Sequence, residues 1–200
     1  MDKFLDLGCY DGIITQKISL AVNSKETHGF DQDHSKMAEA SKKRIKTKFL
    51  DLEDNNWNVE REYFDFVFNN QVIEHLYDID NFLINIKKLL KKNGYCLIST
   101  ENLASWHNIF ALILGYQAFS LANMSSKQWT IGNPFSRKEG HQSNFMKHRA
   151  VFTYTALKEF VKIHDFKIVK EICSGYFPFP NNKFGNYIAK IDPKRSFYIA

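Results

Sequence analysis

The segment from Lys3 to Gly12 constrains the fold of this 200-residue chain more than any other part of the sequence. It reads Lys-Phe-Leu-Asp-Leu-Gly-Cys-Tyr-Asp-Gly, so the apolar run of a buried strand leads directly into a glycine-containing turn. Gly8 and Gly12 allow the main chain to turn sharply and a ligand to approach closely. From Ile13 onward the apolar residues have the spacing of a helix. The order strand, turn, helix is typical of a ligand site in an α/β fold.

Two carboxylates, Asp6 and Asp11, distinguish this turn from a dinucleotide-binding loop. The dinucleotide fingerprint Gly-x-Gly-x-x-Gly presents a helix N-terminus to a pyrophosphate, which nearby carboxylates would repel. The two carboxylates suit a ligand that has a cationic amino acid tail and a ribose diol. The glycine spacing also differs from the fingerprint, so a nicotinamide-dependent oxidoreductase is disfavoured.

Strands and helices alternate over the first two-thirds of the chain, which predicts a parallel sheet covered by helices on both faces. The predicted strands are Lys3–Leu7, Glu26–Asp31, Thr47–Leu50, Phe64–Asn69, Tyr95–Thr100, Phe166–Ser174 and Ser196–Ile199. The predicted helices lie near Ile13–Val22, Ser35–Lys43, Ile79–Lys92, Ser105–Gly115 and Thr155–His164. Asn93-Gly94 is read as the stop signal of the third helix.

Each of the first four predicted strands ends in polar residues, at the edge where an open α/β sheet binds its ligand. Asp31 follows the second strand, 25 residues after Asp6, at the spacing typical of an acidic residue that binds ribose hydroxyls. Asp51 follows the third strand, and Asn69 and Gln71 follow the fourth. Singly, Asp31 and Asp51 could be solvated turn residues, but four matching strand ends together favour a binding site.

These motifs resemble those of the class I S-adenosylmethionine-dependent methyltransferases, whose first motif reads acidic-x-Gly-x-Gly-x-Gly. The segment Phe64–Phe68 followed by Gln71–Leu76, which contains a Glu-His pair, is similar to the type 11, small-molecule branch of that family. Gly94–Thr100 and His148–Thr153 are similar as well, so the resemblance covers nearly the whole chain. Tyr10 stands where the family has its middle glycine.

The resemblance implies a Rossmann-like, doubly wound α/β fold: a mostly parallel seven-stranded sheet with an antiparallel last strand, in a three-layer αβα sandwich. We predict a single domain over residues 1–200, with a lid-like insertion at about 116–151 where the alternating pattern breaks down. A disordered surface insertion is the alternative for this segment. Trp129, Phe135 and Phe145 favour a lid, because aromatic side chains are uncommon in disordered tracts.

The resemblance also implies S-adenosylmethionine as the cofactor and S-adenosylhomocysteine as its product. The cofactor-binding residues that it implies follow the first four strands: Asp6, Gly8, Tyr10, Gly12, Asp31, Gln32, Asp51, Leu52, Asn69 and Gln71. In the family, the position of Asp51 and the backbone amide that follows it contact adenine.

The predicted function is methyl transfer to a small-molecule or sugar-like acceptor at oxygen, and a histidine has a pKa suited to accepting the hydroxyl proton. His75, just beyond the fourth strand, is the first candidate base and His148 is a weaker one. Packing near a helix start is the alternative role for His75. His107 and His141 border or occupy the predicted lid, and Arg149 could bind an anionic substrate or tie the lid to the sheet. No two histidines have the close spacing of a metal site, so no metal is predicted.

The basic charge, Tyr10 and the missing helices before the first strand leave two further functions open. The net charge of +5 includes a basic cluster between Lys42 and Lys48, which motivates RNA or protein methylation. Solvated helix faces explain the lysines better, so a nucleic-acid partner is disfavoured. Tyr10, and the absence of the helices that usually precede the first strand in the family, motivate a non-catalytic cofactor-binding partner subunit.

The cellular setting is predicted from three dispersed cysteines and from the lack of a leader segment or a membrane span. Cys9, Cys96 and Cys173 have neither disulfide nor metal spacing, which favours the reducing cytoplasm. The most apolar run, Ile109–Leu114, is far shorter than the roughly 20 residues that cross a bilayer. The sequence indicates neither the acceptor nor the oligomeric state.

Overall fold

A computed structural model of the chain describes residues 1–125, 127–128, 130–136, 147–179 and 182–200. The strands of these residues are β1 (Lys3–Leu7), β2 (Glu26–Asp31), β3 (Lys46–Phe49), β4 (Phe64–Asn70), β5 (Leu90–Glu101), β6 (Cys173–Ser174) and β7 (Tyr198–Ile199). The helices are α1 (Ile13–Ala21), α2 (His34–Ser41), α3 (Ile79–Leu89), α4 (Trp106–Ile113), α5 (Tyr154–Ile163) and α6 (Lys183–Ile191). Short 3₁₀ turns lie at Ile73–His75, Phe119–Leu121 and Pro193–Arg195.

The strands form one seven-stranded sheet in the order β3-β2-β1-β4-β5-β7-β6. The pairs β1–β2, β1–β4 and β2–β3 are parallel. β7 is antiparallel to both β5 and β6. The prediction of a Rossmann-like, doubly wound, mostly parallel sheet with an antiparallel last strand is therefore confirmed.

The register of the parallel strands brings their carboxyl ends level with one another. Leu7 at the end of β1 pairs with Phe30 on one side and with Asn69 on the other, and Asp31 pairs with Phe49. The residues that follow these four strands are therefore gathered at one edge of the sheet, as an open α/β binding site requires.

The chain divides into two compact units. The first contains Met1–Val72 and Asp78–Ile98, and the second contains Ile73–Tyr77 and Ser99–Ala200. All of the predicted cofactor-binding residues belong to the first unit, whereas the candidate bases His75 and His148 belong to the second. The single-domain organisation stays a prediction.

The first unit has an aromatic core on its sheet. Phe4 of β1 stacks on Phe66 of β4 with ring centroids 5.4 Å apart, and Phe68 lies 6.4 Å from Phe4. Each such buried ring contributes about 1.5–3 kcal/mol relative to exposure. Helix α3 supplies a second apolar stripe, as its sequence spacing predicts, through Phe82, Leu83, Ile86 and Leu89.

The predicted stop signal at Asn93-Gly94 was wrong. Helix α3 already ends at Leu89, and Asn93, with φ of 66°, lies inside β5, which begins at Leu90 rather than at Tyr95. A Cβ atom at Gly94 would lie 3.2 Å from the carbonyl oxygen of Phe64, so the glycine allows close approach to β4 instead.

Two elements near the C-terminus also differ from the prediction. The predicted strand Phe166–Ser174 forms only at Cys173–Ser174, and helix α6 was not predicted. Phe184, Tyr187, Ile188 and Ile191 of α6 have the i, i+3, i+4, i+7 spacing of a helix, but the buried positions are the small residues Gly185 and Ala189, so most of this apolar stripe is exposed. The other elements agree with the prediction to within two residues at each end.

The described part of the predicted lid is held together by its own hydrogen bonds. The N–H of Gln117 donates to the carbonyl of Gly132 at 2.8 Å, and that of Ile131 donates to Ala122 at 3.1 Å. Asn133 is buried and donates to the carbonyl of Gln117 at 2.7 Å. Trp129, His141 and Phe145 lie outside the described residues, and closure of a lid stays a prediction.

None of the helices in the described ranges combines the length and the apolar character needed to span a bilayer.

Candidate functional site

The turn after β1 is fixed to the end of β2 by the main chain. The N–H groups of Gly8 and Cys9 both donate to the carbonyl of Phe30, at 2.8 and 3.2 Å. Three residues of the turn have left-handed backbones: φ is 80° at Gly8, 47° at Tyr10 and 77° at Gly12. The turn is therefore held in place by main-chain hydrogen bonds to the end of β2.

Asp31 links this turn to the start of α2. Its Oδ2 accepts a hydrogen bond from the N–H of Tyr10 at 2.7 Å, and its Oδ1 accepts one from the N–H of Asp33 at 2.9 Å. An ionised carboxylate offers about four lone-pair positions. Asp31 can therefore hold the turn and still accept hydrogen bonds from the hydroxyls of a ligand.

Tyr10, at the position of the family's middle glycine, has a left-handed backbone. Its φ of 47° lies in the left-handed region, and its side chain is 50 % exposed, with the Lys36 ammonium 5.2 Å from the ring centroid. The departure from the motif therefore places a half-exposed side chain at a position with a backbone angle that glycine adopts readily.

The two glycines of the motif are required by packing inside the protein as well. A Cβ atom at Gly8 would lie 2.4 Å from Cγ2 of Val72. At Gly12 it would lie 2.6 Å from Cδ1 of Ile45 and 2.9 Å from Cβ of Ala40. The turn therefore packs tightly on α2 and on the residues after α2 and β4.

We predict that Gly12→Ala lowers the free energy of unfolding by about 2–4 kcal/mol, because it adds an overpacked methyl group to left-handed strain. Gly115→Ala is the matched control, since Gly115 has the same φ of 77° and nothing within 4 Å of its Cβ position. Its loss should be about 1–2 kcal/mol from strain alone. Urea denaturation measures both, and equal losses would contradict the packing argument.

Asp6 supports the turn from inside the protein. The carboxyl is buried and accepts a hydrogen bond from the Thr15 hydroxyl at 2.6 Å. Burial raises the pKa of Asp6 to about 7, although the Thr15 hydrogen bond offsets part of the rise. Asp6 was predicted to bind the cofactor, and its observed contact joins β1 to α1.

The remaining predicted binding residues surround the same edge of the sheet. Asn69 is buried and donates to the carbonyl of Leu7 at 3.1 Å, while its Oδ1 has no hydrogen-bond partner among the described residues. Asp51 accepts from the N–H of Glu53 at 3.0 Å, and Leu52 is buried. Gln71 has a left-handed φ of 57°. Gln32, directly after β2, is partly exposed.

A stacked pair of rings at this edge was not predicted from the sequence. The rings of His34, the first residue of α2, and Phe49, the last residue of β3, lie 4.3 Å apart and are nearly parallel at 8°. Phe49 pairs with Asp31 in the sheet. An aromatic residue at the end of β3 is the sequence signal that could have found this flat apolar surface.

The second unit brings the candidate bases His75 and His148 together. Their ring centroids lie 4.9 Å apart. Nδ1 of His75 lies 3.1 Å from the carbonyl of Lys147, and Nδ1 of His148 lies 2.6 Å from that of Ser120. Because a carbonyl only accepts, both Nδ1 atoms carry the proton, so each neutral ring has its lone pair on Nε2.

Burial keeps His75 neutral. It lowers the pKa of His75 to about 4, and repulsion from His148 and Arg149 adds to the shift. The Lys147 hydrogen bond offsets part of it. His148 has a carboxylate beside it, since Oε2 of Glu101 lies 3.7 Å from its Nδ1.

Glu74 is a buried carboxyl beside these rings. Burial raises its pKa to about 8, and the Glu101 carboxylate adds to the rise. Neither oxygen meets hydrogen-bond geometry with a described group, although the Thr100 hydroxyl lies close enough to offset part of the burial. One ligand atom from each of Glu74, His75 and His148 lies within 4.8 Å of the others, so the three could also surround a cation. The prediction of no metal rested on spacing along the chain, which does not reveal this cluster.

Arg149 is bound to the turn that carries His75. Its backbone N–H donates to the carbonyl of Glu74 at 2.6 Å, and its side-chain Nε donates to the carbonyl of His75 at 3.1 Å. Its guanidinium carbon lies 3.5 Å from the ring centroid of Tyr77. Of the two roles predicted for Arg149, these contacts support the one in which it ties the predicted lid to the fold.

Two other predicted features lie apart from these clusters. His107 stacks on Phe197 with centroids 4.2 Å apart, and burial lowers its pKa to about 4, which is consistent with a packing role. In the basic cluster, Lys43 donates to the carbonyl of Asp11, Lys46 pairs with Glu26, and Lys48 donates to carbonyls of the following loop.

The chain matches the family model described as "Methyltransferase domain" over residues 2–171. It belongs to this methyltransferase family. The resemblance to class I S-adenosylmethionine-dependent methyltransferases is thereby confirmed, and S-adenosylmethionine is the cofactor of the family.

Solved structures show the same fold. A S-adenosylmethionine-dependent methyltransferase from Mesorhizobium loti has a TM-score of 0.60 and 14 % sequence identity, with 98 % of this chain and 88 % of that chain covered. One from Archaeoglobus fulgidus has a TM-score of 0.57 and 15 % identity, with 99 % and 84 % covered. At these identities the likeness concerns the fold alone.

Curated relatives are more similar in sequence but longer. The ubiquinone biosynthesis O-methyltransferase of Pelagibacter ubique is 30 % identical over 122 residues, with 56 % of this chain and 47 % of the relative covered. That of Bradyrhizobium diazoefficiens is 31 % identical over 117 residues, with 56 % and 45 % covered. The methyltransferase domain described here thus spans about half the length of these relatives.

The residues after β1 to β4 fit the cofactor. The unpartnered Oδ1 of buried Asn69 offers an acceptor, and Asp31 retains acceptor capacity for a ribose diol. The exposed face of Phe49 offers apolar surface to a base, and Leu52, directly after Asp51, is buried. These hydrogen-bond acceptors and this apolar surface suit an adenosyl group that carries a cationic tail.

We predict that Glu74→Gln makes the methyltransferase domain progressively more stable than the wild type as the pH rises from 5 to 8. The folded-state pKa of Glu74, about 8, lies above its ordinary value, so the unfolded state releases the proton first and folding loses stability through this window. The advantage of the variant should grow by up to about 1 kcal/mol per pH unit. Thermal unfolding at both pH values measures it. Asp6, His75 and His107, whose pKa values are also shifted, are present in both proteins, so a difference that stays constant with pH would contradict the assignment to Glu74.

Proposed function

We propose that this methyltransferase domain transfers a methyl group from S-adenosylmethionine to a hydroxyl oxygen of a small molecule. Membership of the family supports the reaction class, and curated relatives are named as O-methyltransferases. The choice of oxygen rests on His75, whose Nε2 carries a lone pair, because a hydroxyl acceptor must lose a proton that a buried neutral imidazole can accept.

Residues of the first unit bind and orient the cofactor in this proposal. When bound, S-adenosylmethionine supplies an electrophilic methyl group on a sulfonium. Asp31 accepts hydrogen bonds from ribose hydroxyls, and Phe49 and Leu52 contact the adenine. Asn69 and Gln71 lie at the end of β4, where they accept hydrogen bonds from the cationic tail. Orientation of this kind can supply about 7–11 kcal/mol of the barrier reduction.

His75 acts as the general base in this proposal. Its pKa of about 4 means that the ring is unprotonated at neutral pH, and its bond to the Lys147 carbonyl holds the proton on Nδ1. Nε2 therefore accepts the hydroxyl proton. Gln71 and His75 are four residues apart along the chain.

His148 and Arg149 support this base. His148 presents a second Nε2 lone pair beside His75, with the Glu101 carboxylate 3.7 Å from its Nδ1. Arg149 holds the carbonyl of His75 and thereby fixes the turn on which the base is carried. We propose a reducing, cytoplasmic setting, in which Cys9, Cys96 and Cys173 stay free thiols.

Two measurements on the wild-type chain test the proposal. Calorimetry should show binding of S-adenosylmethionine. Incubation with methyl-labelled cofactor should then label a dihydroxybenzoate probe and leave an aminobenzoate of the same size unlabelled. Labelling of RNA or protein alone would overturn the acceptor class. Cofactor binding without transfer to any hydroxyl probe would favour the non-catalytic partner subunit instead.

A further inference from the structure

Helix α6 of the second unit presents its large apolar side chains outward. Gly185 and Ala189 are its buried positions, and a Cβ atom at Gly185 would lie only 1.8 Å from the carbonyl oxygen of Phe179. Phe184, Tyr187 and Ile191 are instead 56 %, 63 % and 67 % exposed. A helix that buries small residues and exposes large apolar ones has a surface suited to a partner.

Neighbouring elements of the same unit extend this surface. On helix α4, Asn108 and Ala111 are buried while Phe110, Ile113 and Leu114 are exposed. Ring contacts connect the elements: Phe110 lies 5.7 Å from Phe177, and Phe179 lies 5.4 Å from Phe184. We call these exposed residues the aromatic face: Phe110, Ile113, Leu114, Phe177, Phe179, Phe184, Tyr187 and Ile191.

Most of the charged residues in the segment that contains α6 are positive. From Cys173 to the C-terminus, the sequence contains four basic residues, Lys183, Lys190, Lys194 and Arg195, and one acidic residue, Asp192. Asp192 accepts a hydrogen bond from the Tyr176 hydroxyl at 2.7 Å. Lys183 and Lys190 lie four residues before and three residues after Tyr187, so they flank it on one side of α6. Helix α4 contains no Asp, Glu, Lys or Arg.

We propose that the aromatic face docks on the surface of an anionic lipid bilayer. An outward apolar ridge flanked by lysines is the pattern of a helix that lies in the membrane interface, where the rings enter the headgroup boundary and the ammonium groups contact lipid phosphates. A second copy of the chain fits less well, because self-association would bring the lysines of two positive surfaces together. The proposal concerns binding to one leaflet and is independent of the methyl acceptor.

Co-sedimentation of the full chain with vesicles tests the proposal. Binding to mixed phosphatidylcholine–phosphatidylglycerol vesicles should exceed binding to pure phosphatidylcholine vesicles by about tenfold at low salt and should fall as salt is added. The triple variant Phe184→Ser, Tyr187→Ser, Ile191→Ser should lose most of the binding. Leu20→Ser is the matched control, because Leu20 is an apolar residue of α1 with 74 % exposure.

A charge variant keeps the test independent of folding defects. Lys183→Glu combined with Lys190→Glu should weaken binding to the anionic vesicles at least about tenfold. Lys167→Glu combined with Lys170→Glu, at exposed positions between α5 and β6, should bind as the wild type does. Absence of vesicle binding at low salt, or equal losses in both pairs, would overturn the proposal. So would a wild-type dimer that the triple variant converts to a monomer, because the aromatic face would then be a contact between copies.

Discussion

Asp31→Asn should weaken the binding of S-adenosylmethionine about 30- to 100-fold. The substitution leaves an amide oxygen that can still accept from the N–H of Tyr10, so the turn after β1 keeps its anchor. It removes the charged acceptor that ribose hydroxyls need, and hydrogen bonds to a charged group are worth about 1.5–3 kcal/mol. Isothermal titration calorimetry measures the change in Kd.

The matched control for Asp31→Asn is Asp2→Asn. Asp2 is an exposed carboxylate just before β1, at the opposite end of the same strands, and pairs with Lys25 at 2.8 Å. Its loss changes the net charge equally and should leave Kd within about twofold of the wild type, because exposed ion pairs contribute about 0–1 kcal/mol. Equal effects of the two variants would show that charge alone, and not the ribose contact, governs affinity.

His75→Ala should lower kcat for the hydroxyl probe about 10²- to 10⁴-fold, the range expected when a general base is removed. The Kd for S-adenosylmethionine should stay within about twofold, because the assigned cofactor contacts do not include His75. In the wild type, kcat should change little between about pH 6 and pH 7, since the pKa of His75 is about 4 and the neighbouring Glu74, with a pKa of about 8, stays protonated.

His75→Asn separates a catalytic role from a packing role. An asparagine amide can still donate to the carbonyl of Lys147, as Nδ1 of His75 does, but it offers no basic lone pair at the position of Nε2. If His75 is the general base, the asparagine variant should be as inactive as the alanine variant. If asparagine restores kcat, His75 acts through packing, which is the alternative that the sequence left open.

The first unit was largely predictable because its signals are local. An apolar run followed by glycines defines β1 and its turn, and the spacing from Asp6 to Asp31 follows from one strand, helix, strand repeat. Parallel strands then bring Asp31, Asp51 and Asn69 to one edge by topology alone. These positions could be proposed without knowing any side-chain contact.

The second unit was less predictable because its contacts join distant parts of the chain. His75 and His148 are 73 residues apart, and the intervening sequence has no pattern that would show their rings to be neighbours. Helix α6 has apolar residues at helical spacing, but it buries its small side instead, because Gly185 packs directly on the main chain of Phe179. In the first unit, the prediction failed at Asn93-Gly94, which carries a strong turn signal although its glycine permits close packing of β5 on β4.

The left-handed backbone at Tyr10 has a consequence for tracing distant relatives of this domain. The first motif is conventionally described by its glycines, yet at its middle position the loop needs only a φ near 50°. Asparagine, aspartate and histidine adopt that angle more readily than other side chains, while β-branched residues are strongly disfavoured. A sequence pattern that allows these residues at the middle position, and excludes valine, isoleucine and threonine, would therefore recover sequences that a glycine-only pattern discards.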